Sequence, residues 1–174
     1  SRGDLEVTSD LLNNIMSNYP DRKCKVYLLH GDLSSGQMTW LYGHDKIKSL
    51  INIAHGEGFG LPMFEAAREG MPVITIGWSG QVDFLCHNGK DYFESVEFTL
   101  QPVQNEAVWK GVIEPDSMWA FAEQGSYKMS LRRAYKNIEK LEERSLELKE
   151  IIDSKFSDEV LFKLFVDNVL GFDS

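Results

Sequence analysis

The feature that most constrains this chain is a glycine-rich turn, Gly-Glu-Gly-Phe-Gly-Leu-Pro at residues 56–62. It follows an apolar run at 50–54 and precedes a helical pattern at 62–69, which Gly70 closes. Glycines allow positive φ and a close approach of the backbone to a ligand. Free amides at a helix start favour a negative group. The turn is therefore predicted to receive an anion through the amides of residues 60–63.

Apolar spacing predicts helices and strands in alternation over the first half of the chain. Helices are expected at 5–18 and 38–42, and strands at 24–29, 50–54 and 72–76, the one at 50–54 being buried. Strands that alternate with helices over short connections form parallel sheets. We therefore expect an α/β fold, a doubly wound parallel sheet with its ligand site at the carboxyl ends of the strands.

The second half of the sequence is less regular at first and then helical. Residues 88–115 show no clear period, apart from short β-prone runs at 96–100 and 112–114. From 116 to 150 the chain is charged and amphipathic, which predicts a long helix. A stripe of Leu, Phe and Val over 158–170 predicts a final helix. C-terminal helices thus complete the expected fold.

Composition excludes several classes of protein. With 174 residues and 43% hydrophobic content, one domain over 1–174 is expected. A net charge of −9 repels phosphate backbones, so nucleic acid is not an expected partner. No apolar run reaches the roughly 18–20 residues that an integral membrane segment needs. Cys24 and Cys86 form no CxxC pair, which is typical of a reduced, cytoplasmic chain.

Two carboxylates flank the predicted anion site. Glu57 lies in the glycine-rich turn and Glu65 lies one turn into the helix, and ionised carboxylates only accept hydrogen bonds. A phosphate site beside carboxylates makes sense where the carboxylates bind hydroxyls, and a nucleotide sugar offers a diphosphate between a ribose and a sugar polyol. The alternative is a tight turn with one solvated glutamate and one glutamate that stabilises the helix dipole.

The residues around this turn resemble a known family. The stretch GEGFGLPMFEAAREGMPVI is similar to the EGFGLP-x-x-EA-x-x-x-G-x-PV signature of family 4 (group 1) glycosyltransferases. Residues 79–83 resemble that family's GG-x-x-E turn, with Ser79 and Asp83 as departures, and the whole of 78–85 is similar to a variant found in transferases of phages, large viruses and marine bacteria. The resemblance implies a Rossmann-like domain, the C-terminal half of a GT-B fold, in an enzyme that retains the anomeric configuration.

The resemblance also implies roles for single residues. Glu65 matches the glutamate that binds the ribose hydroxyls. Glu57 matches the first glutamate of the E-x7-E pair, beside the transferred sugar, where it accepts sugar hydroxyls or stabilises positive charge at the anomeric carbon. Further substrate-binding positions lie in the glycine-rich loop, for sugar hydroxyls and diphosphate, and near the base: Gly58, Phe59, Gly60 and Leu61, then Gly31 and Asp32.

By the same resemblance, part of the active site lies outside this chain. A lysine and an arginine that neutralise the diphosphate, the first strand and the N-terminal acceptor-binding domain are expected ahead of residue 1. The chain alone is then expected to bind a UDP-, GDP- or similar nucleotide sugar weakly and not to turn over. No cofactor is implied, and the acceptor is not specified. The alternatives are a non-catalytic nucleotide-sugar-binding or scaffolding module, and GT-B epimerases or phosphorylases.

Other candidate residues have two interpretations each. The four histidines lack zinc-site spacing and there is no DxD motif, so no metal is expected. His55 lines the donor cleft or is a local hydrogen-bonding residue, and Trp78 shields the cleft or belongs to the core. The Arg132, Arg133 and Lys136 cluster is a basic patch or a solvated helix face. The apolar stripe at 158–170 packs against protein or lies on a membrane surface.

Overall fold

The computed structural model describes residues 2–171, and the chain divides between Gly36 and Gln37 into two compact units. In the N-terminal unit, helix α1 covers Arg2–Ser17, which confirms the helix predicted at 5–18. Its apolar side chains recur at helical intervals, with Asp4 in the first turn. The rest of that unit, up to the start of α2 (Ser35–Tyr42), is irregular.

The strand predicted at 24–29 is wrong. These residues are exposed and carry no regular secondary structure, and the side chain of Tyr27 is 81% exposed. A strand is stabilised by pairing and by packing against neighbours, and its intrinsic propensity adds little. The apolar composition of 24–29 indicates a propensity for strand, but it does not show whether a partner strand is present.

The second unit contains the remaining helices and strands. In chain order these are β1 (Leu50–Asn52), α3 (Leu61–Arg68), β2 (Val73–Ile76), α4 (Val82–Leu85), β3 (Cys86–His87), β4 (Lys90–Asp91), β5 (Glu94–Val96), β6 (Phe98–Pro102), a 3-10 turn (Asn105–Ala107), β7 (Met118–Ala122), α5 (Gln124–Lys136), α6 (Ile138–Lys155) and α7 (Asp158–Leu170). The helices predicted at 38–42, 62–69 and 158–170 are confirmed, as are the strands predicted at 50–54 and 72–76.

A three-stranded parallel sheet, in the order β1-β2-β5, forms the centre of this unit. The α/β class and the parallel pairing are therefore confirmed. β2 is buried at all four positions, whereas Ile51 of β1 is 42% exposed, so the expectation of a buried strand at 50–54 is wrong. The reason is position, because β1 is an edge strand of the described sheet. Since the strands are parallel, their carboxyl ends meet at one edge.

Helices cover both faces of the central strand. Alternate residues of a strand face opposite sides, and Val73 joins an apolar cluster with Met63 of α3 and Leu148 of α6. Ile74 and Ile76 join a second cluster, together with Val96 of β5, Ala120 of β7, Ala134 of α5 and Leu141 of α6. A strand that is buried on both sides in this way reads as a continuous apolar run in the sequence.

The prediction of one long helix over 116–150 is wrong in two respects, since its beginning is a strand and the rest is two helices. Residues 118–122 form strand β7, which pairs antiparallel with β6 over five positions, from Phe98↔Ala122 to Pro102↔Met118. Asn137, with φ −122° and ψ 33°, then separates α5 from α6. Met, Ala and Phe occur in helices and in strands, so pairing with β6 decides that 118–122 form a strand. The break between α5 and α6 at Asn137 involves neither glycine nor proline, so the sequence contains no signal for it.

The region expected to be irregular, 88–115, contains more strand than its composition indicates. The β-prone run at 96–100 falls on two strands, the end of β5 and the start of β6, which Glu97 separates. The run at 112–114 contributes only an isolated bridge, between Ile113 and Trp109.

No helix within residues 2–171 is both long and apolar enough to cross a membrane.

Buried serines fix α5 against β5. Ser130 Oγ donates to the carbonyl of Ser95 (2.7 Å), and Ser126 Oγ accepts from the amide of Glu97 (2.9 Å). Arg133 Nε donates to Glu94 at 2.7 Å. These bonds satisfy polar groups beside an apolar cluster, and they hold the residues that precede the β6–β7 hairpin in place.

The sheet gives a stability prediction. Ile76 is fully buried, so Ile76→Ala should lower the free energy of unfolding by about 2–5 kcal/mol through lost burial and a cavity. The matched control is Ile51→Ala on the half-exposed edge strand, for which a loss below about 1 kcal/mol is expected. Urea unfolding of both variants measures the difference. Equal losses would contradict the assignment of β2 to the centre of the sheet.

Candidate functional site

A cavity of about 610 Å³ lies at the carboxyl edge of the parallel sheet. The loop after β1 lines one side of it with His55, Gly56, Glu57 and Gly58, and the turn after β2 contributes Trp78 and Ser79. The opposite wall comes from β7, through Met118 and Trp119. We call this space the carboxyl-edge cavity. It brings together the first predicted glutamate, one predicted loop glycine and two aromatic residues.

Glu57 is held in place by the end of its own strand. Asn52 Nδ2 donates to Glu57 Oε1 at 2.9 Å. The Oδ1 atom of the same asparagine accepts from the amide of Ala54 at 2.8 Å, so its side-chain amide is anchored on both sides. The carboxylate of Glu57 is half-buried and keeps acceptor capacity, because an ionised carboxylate has about four lone-pair sites.

The loop after β1 is joined to the turn after β2 by three hydrogen bonds at Glu57. Ser79 Oγ donates to the carbonyl of Glu57 (2.6 Å), and the amide of Gly80 donates to the same oxygen (3.0 Å). The amide of Glu57 donates to Ser79 Oγ at 3.2 Å. We call this set the Ser79–Glu57 junction. It fixes the backbone of the predicted catalytic residue against a second loop.

Two residues of the turn have unusual backbone requirements. Ser79 has φ +76°, in the left-handed region that favours glycine, and it stands where the resembled family has glycine. Its hydrogen bonds to Glu57 offset that strain. Gly80 approaches the backbone so closely that a Cβ there would overlap the carbonyl oxygen of Gly58. Glycine at position 80 is therefore required by the approach of the two loops.

The β7 wall is attached to the loop after β1 through His55. The ring Nδ1 of His55 lies 2.8 Å from the carbonyl oxygen of Ala120, whose amide donates to the carbonyl of His55 at 3.1 Å. The imidazole stacks on Trp119, with centroids 4.9 Å apart and planes at 8°, and it contacts Phe121 at 4.4 Å. His55 therefore does both things that the sequence left open, since it bonds locally and lines the cavity.

Trp78 also lines the cavity. Its side chain is 36% exposed and its ring lies 6.0 Å from that of Phe98 on β6. Of the two interpretations that the sequence allowed, exposure to the cavity fits this placement better than membership of the core.

The amides at the start of α3 are fewer than the sequence suggested. Gly60 caps the helix with φ +88°, and its carbonyl accepts from the amides of Met63 (2.9 Å) and Phe64 (3.0 Å). Pro62 has no amide hydrogen. The expectation that all amides of residues 60–63 face a ligand is therefore wrong. Within residues 2–171, neither the amide of Gly60, a buried residue, nor that of Leu61, an exposed one, donates to a backbone carbonyl.

The side chains of the loop differ in their surroundings. The ring of Phe59, a predicted substrate-binding residue, packs 5.1 Å from both Phe64 and Phe84, and its side chain is 40% exposed. Leu61 is 58% exposed at the helix start, and Gly58 is exposed on the cavity wall. Of these three residues only Gly58 lines the carboxyl-edge cavity, where it can offer its backbone to a ligand beside the Glu57 carboxylate.

Glu65 does not line the carboxyl-edge cavity. It is half-buried on α3, on the side of Tyr42, whose side chain is 8% exposed. Burial raises the pKa of the Tyr42 hydroxyl, and the negative charge of Glu65 raises it further. The two glutamates of the E-x7-E pair thus stand at separate places, one inside the cavity and one beside a buried tyrosine.

Gly31 and Asp32, the predicted base-contacting residues, lie in the irregular part of the N-terminal unit. Both are exposed, and Gly31 has φ +133°. Their predicted role stays a prediction.

The electrostatic character of the cavity follows from its lining. Glu57 accepts hydrogen bonds, and His55 offers a second polar group, whereas no lysine or arginine is among the lining residues that the structure describes. No cluster of three or more potential metal ligands occurs among residues 2–171. The arrangement fits an uncharged molecule rich in hydroxyl groups better than an isolated anion, because hydroxyls donate to carboxylates.

Sequence reasoning missed the β7 wall. Met118 and Trp119 lie in the stretch predicted as helix, so nothing placed them at the sheet edge. The available signal was the alternation of Trp119 and Phe121 with small residues in MWAFA, a pattern of period two that is typical of a strand.

The remaining candidates include exposed side chains on helices α5 and α7. Arg133 forms an ion pair with Glu94, while Arg132 and Lys136 are exposed, which favours the solvated helix face over a binding patch. Along α7, Phe162 and Phe165 are 71% and 59% exposed, and Ser157 caps the helix.

No protein-family model, no curated protein and no solved structure matches this chain.

Ser79 allows a test of the junction. Ser79→Ala removes both side-chain hydrogen bonds and keeps the strained φ, so the free energy of unfolding should fall by about 1–3 kcal/mol. Ser79→Gly removes the same bonds but relieves the strain, which should recover about 1 kcal/mol. Urea unfolding measures both. A glycine variant less stable than the alanine variant would contradict the role of strain at this position.

Proposed function

We propose that this chain is the nucleotide-sugar-binding domain of a retaining family 4 (group 1) glycosyltransferase, with a Rossmann-like fold that forms the C-terminal half of a GT-B enzyme. The observation that carries the proposal is the position of Glu57. Its carboxylate lies in a cavity at the carboxyl edge of a parallel sheet, immediately before a glycine-capped helix start. Open α/β sheets bind ligands at this edge.

Each part of a nucleotide sugar has a counterpart in this proposal. The sugar occupies the carboxyl-edge cavity, where its hydroxyls donate to Glu57. The diphosphate oxygens accept hydrogen bonds from the amides of Gly60 and Leu61, and the positive end of the α3 dipole stabilises their negative charge. The ribose hydroxyls donate to Glu65, as the family resemblance implies.

The proposed reaction breaks the bond between the anomeric carbon and the diphosphate oxygen, and an acceptor hydroxyl forms the new bond on the same face. The proton of that hydroxyl leaves with the departing diphosphate. Glu57 stabilises the positive charge that develops at the anomeric carbon. The acceptor-binding domain and the two cations that neutralise the diphosphate lie, in this proposal, ahead of residue 1, so the chain by itself binds donor without turnover. Its two unpaired cysteines support a cytoplasmic location.

A second candidate is a binding module of the same fold without catalysis. The absence of lysine and arginine from the described lining of the cavity favours it, because a departing diphosphate needs positive charge nearby. Turnover separates the two candidates. Release of UDP or GDP from the corresponding sugar, by this chain joined to its acceptor domain, would support the enzyme and exclude the module.

Donor binding is tested with two glutamate variants. NMR titration of the chain with UDP-glucose, GDP-mannose, UDP and GDP measures affinity even when binding is weak. Because a hydrogen bond to a charged group contributes about 1.5–3 kcal/mol, Glu65→Ala should weaken nucleotide and nucleotide sugar alike by about tenfold or more. Glu57→Gln should weaken only the sugar-bearing ligands.

The control is Glu143→Ala, which removes an exposed carboxylate on α6 and should leave every affinity unchanged. Failure of the unmodified chain to bind any of the four ligands would overturn the proposed function. Unchanged nucleotide affinity in Glu65→Ala would overturn the ribose role alone.

A further inference from the structure

We propose that the β6–β7 hairpin forms the recognition wall for the donor's sugar ring, with Trp119 as its stacking platform and His55 as a hydroxyl acceptor. The assignment rests on the proposed function and adds two specificity-determining residues to it. Neither residue belongs to the glycine-rich signature. Both line the carboxyl-edge cavity together with Glu57.

The protonation pattern of His55 follows from its partner. A carbonyl oxygen only accepts hydrogen bonds, so the 2.8 Å contact between His55 Nδ1 and the carbonyl of Ala120 requires the proton on Nδ1. In the neutral ring, Nε2 then carries a lone pair. We assign this lone pair as the second acceptor of the cavity, beside the Glu57 carboxylate, for the hydroxyls of one ligand.

Aromatic surface complements these acceptors. The indoles of Trp119 and Trp78 both line the cavity, one from β7 and one from the turn after β2. A pyranose ring has apolar C–H faces and a rim of hydroxyls, so it packs its faces on aromatic rings while its rim donates to acceptors. The combination of indoles, carboxylate and imidazole in one space matches that chemistry.

The hairpin holds Trp119 rigidly enough to select a ligand. Trp119 pairs with Gln101 in a five-position antiparallel register, and its neighbour Ala120 is fully buried in the second apolar cluster. Its ring is parallel to that of His55, which Phe121 also contacts. The strand, the histidine and the loop of Glu57 thus form one packed unit, and the sugar contacts all three parts.

The charge of the cavity points to a neutral sugar. Glu57 is acidic, the lining residues within the described chain include no cation, and the whole chain carries −9. A hexose with only hydroxyl substituents suits this lining. A sugar acid would place its carboxylate beside Glu57 without a compensating charge, which is unfavourable.

The experiment compares ligands with and without the sugar. NMR titration of the chain with UDP and UDP-glucose, and with GDP and GDP-mannose, gives the gain in affinity that the sugar provides. Trp119→Leu should reduce that gain about fivefold and leave UDP and GDP affinity unchanged, whereas Trp119→Phe should retain most of it. Trp109→Leu is the matched control, since this exposed tryptophan lies between β6 and β7 outside the cavity lining.

Two substitutions separate the functions of His55. His55→Asn keeps a donor near the Nδ1 position for Ala120 and loses the Nε2 acceptor, so the sugar-dependent gain should fall while thermal stability is kept. His55→Gln keeps an acceptor near the Nε2 position and loses the bond to Ala120, so stability should fall and more of the gain should remain. Nitrogen-15 spectra of the ring should report the Nδ1-protonated tautomer.

Three outcomes overturn the assignment. An unchanged sugar-dependent gain in both Trp119→Leu and His55→Asn, with nucleotide binding intact, leaves the proposed function standing and removes the role of the hairpin. An Nε2-protonated tautomer removes the acceptor role of His55. A chain that binds neither the nucleotides nor their sugars overturns the proposed function and this assignment together.

Discussion

The arrangement at the carboxyl edge depends on the Ser79–Glu57 junction. Two loops that follow neighbouring parallel strands are held together there by three hydrogen bonds: the Ser79 hydroxyl and the Gly80 amide donate to the carbonyl of Glu57, and the amide of Glu57 donates to the Ser79 hydroxyl. The junction leaves the Glu57 side chain unencumbered, and Asn52 then sets its direction. Backbone hydrogen bonds thus fix the position of Glu57, and the Asn52 side chain fixes the direction of its carboxylate. The carboxylate stays in place and still has lone pairs to accept hydrogen bonds from a ligand.

The sequence predicts those elements whose start and end are determined by residues close together along the chain. Helix α3 was predictable because neighbouring residues mark its start and its end: Gly60 precedes it, Pro62 lies in its first turn, and Gly70 at φ +79° follows it. The left-handed conformation of Gly60 (φ +88°) was not, because glycine adopts negative φ about as readily. The glycine-rich loop gave the position of Glu57 at the sheet edge through the same local signals.

The errors concern interactions between distant parts of the chain. Residues 24–29 have strand-forming composition but no regular structure, whereas 118–122 have mixed composition and form β7. Pairing with β6, about twenty residues earlier, decides the second case, and it also brings Trp119 to the cavity. Two of the eight lining residues, Met118 and Trp119, therefore depend on pairing with β6, a partner that the composition of 118–122 does not specify.

The contact between Gly80 and Gly58 has a consequence for how relatives of this chain can be found. Two backbones touch there without room for a single methyl group, so any protein that builds this cavity in the same way must keep glycine at the equivalent of position 80. At the preceding position glycine can replace serine, because it adopts the left-handed φ without strain and the Gly80 amide still donates to Glu57, although the two side-chain hydrogen bonds of Ser79 are lost. Divergent homologues should therefore vary at the first of these positions and stay invariant at the second, a signature that persists after overall sequence identity is lost.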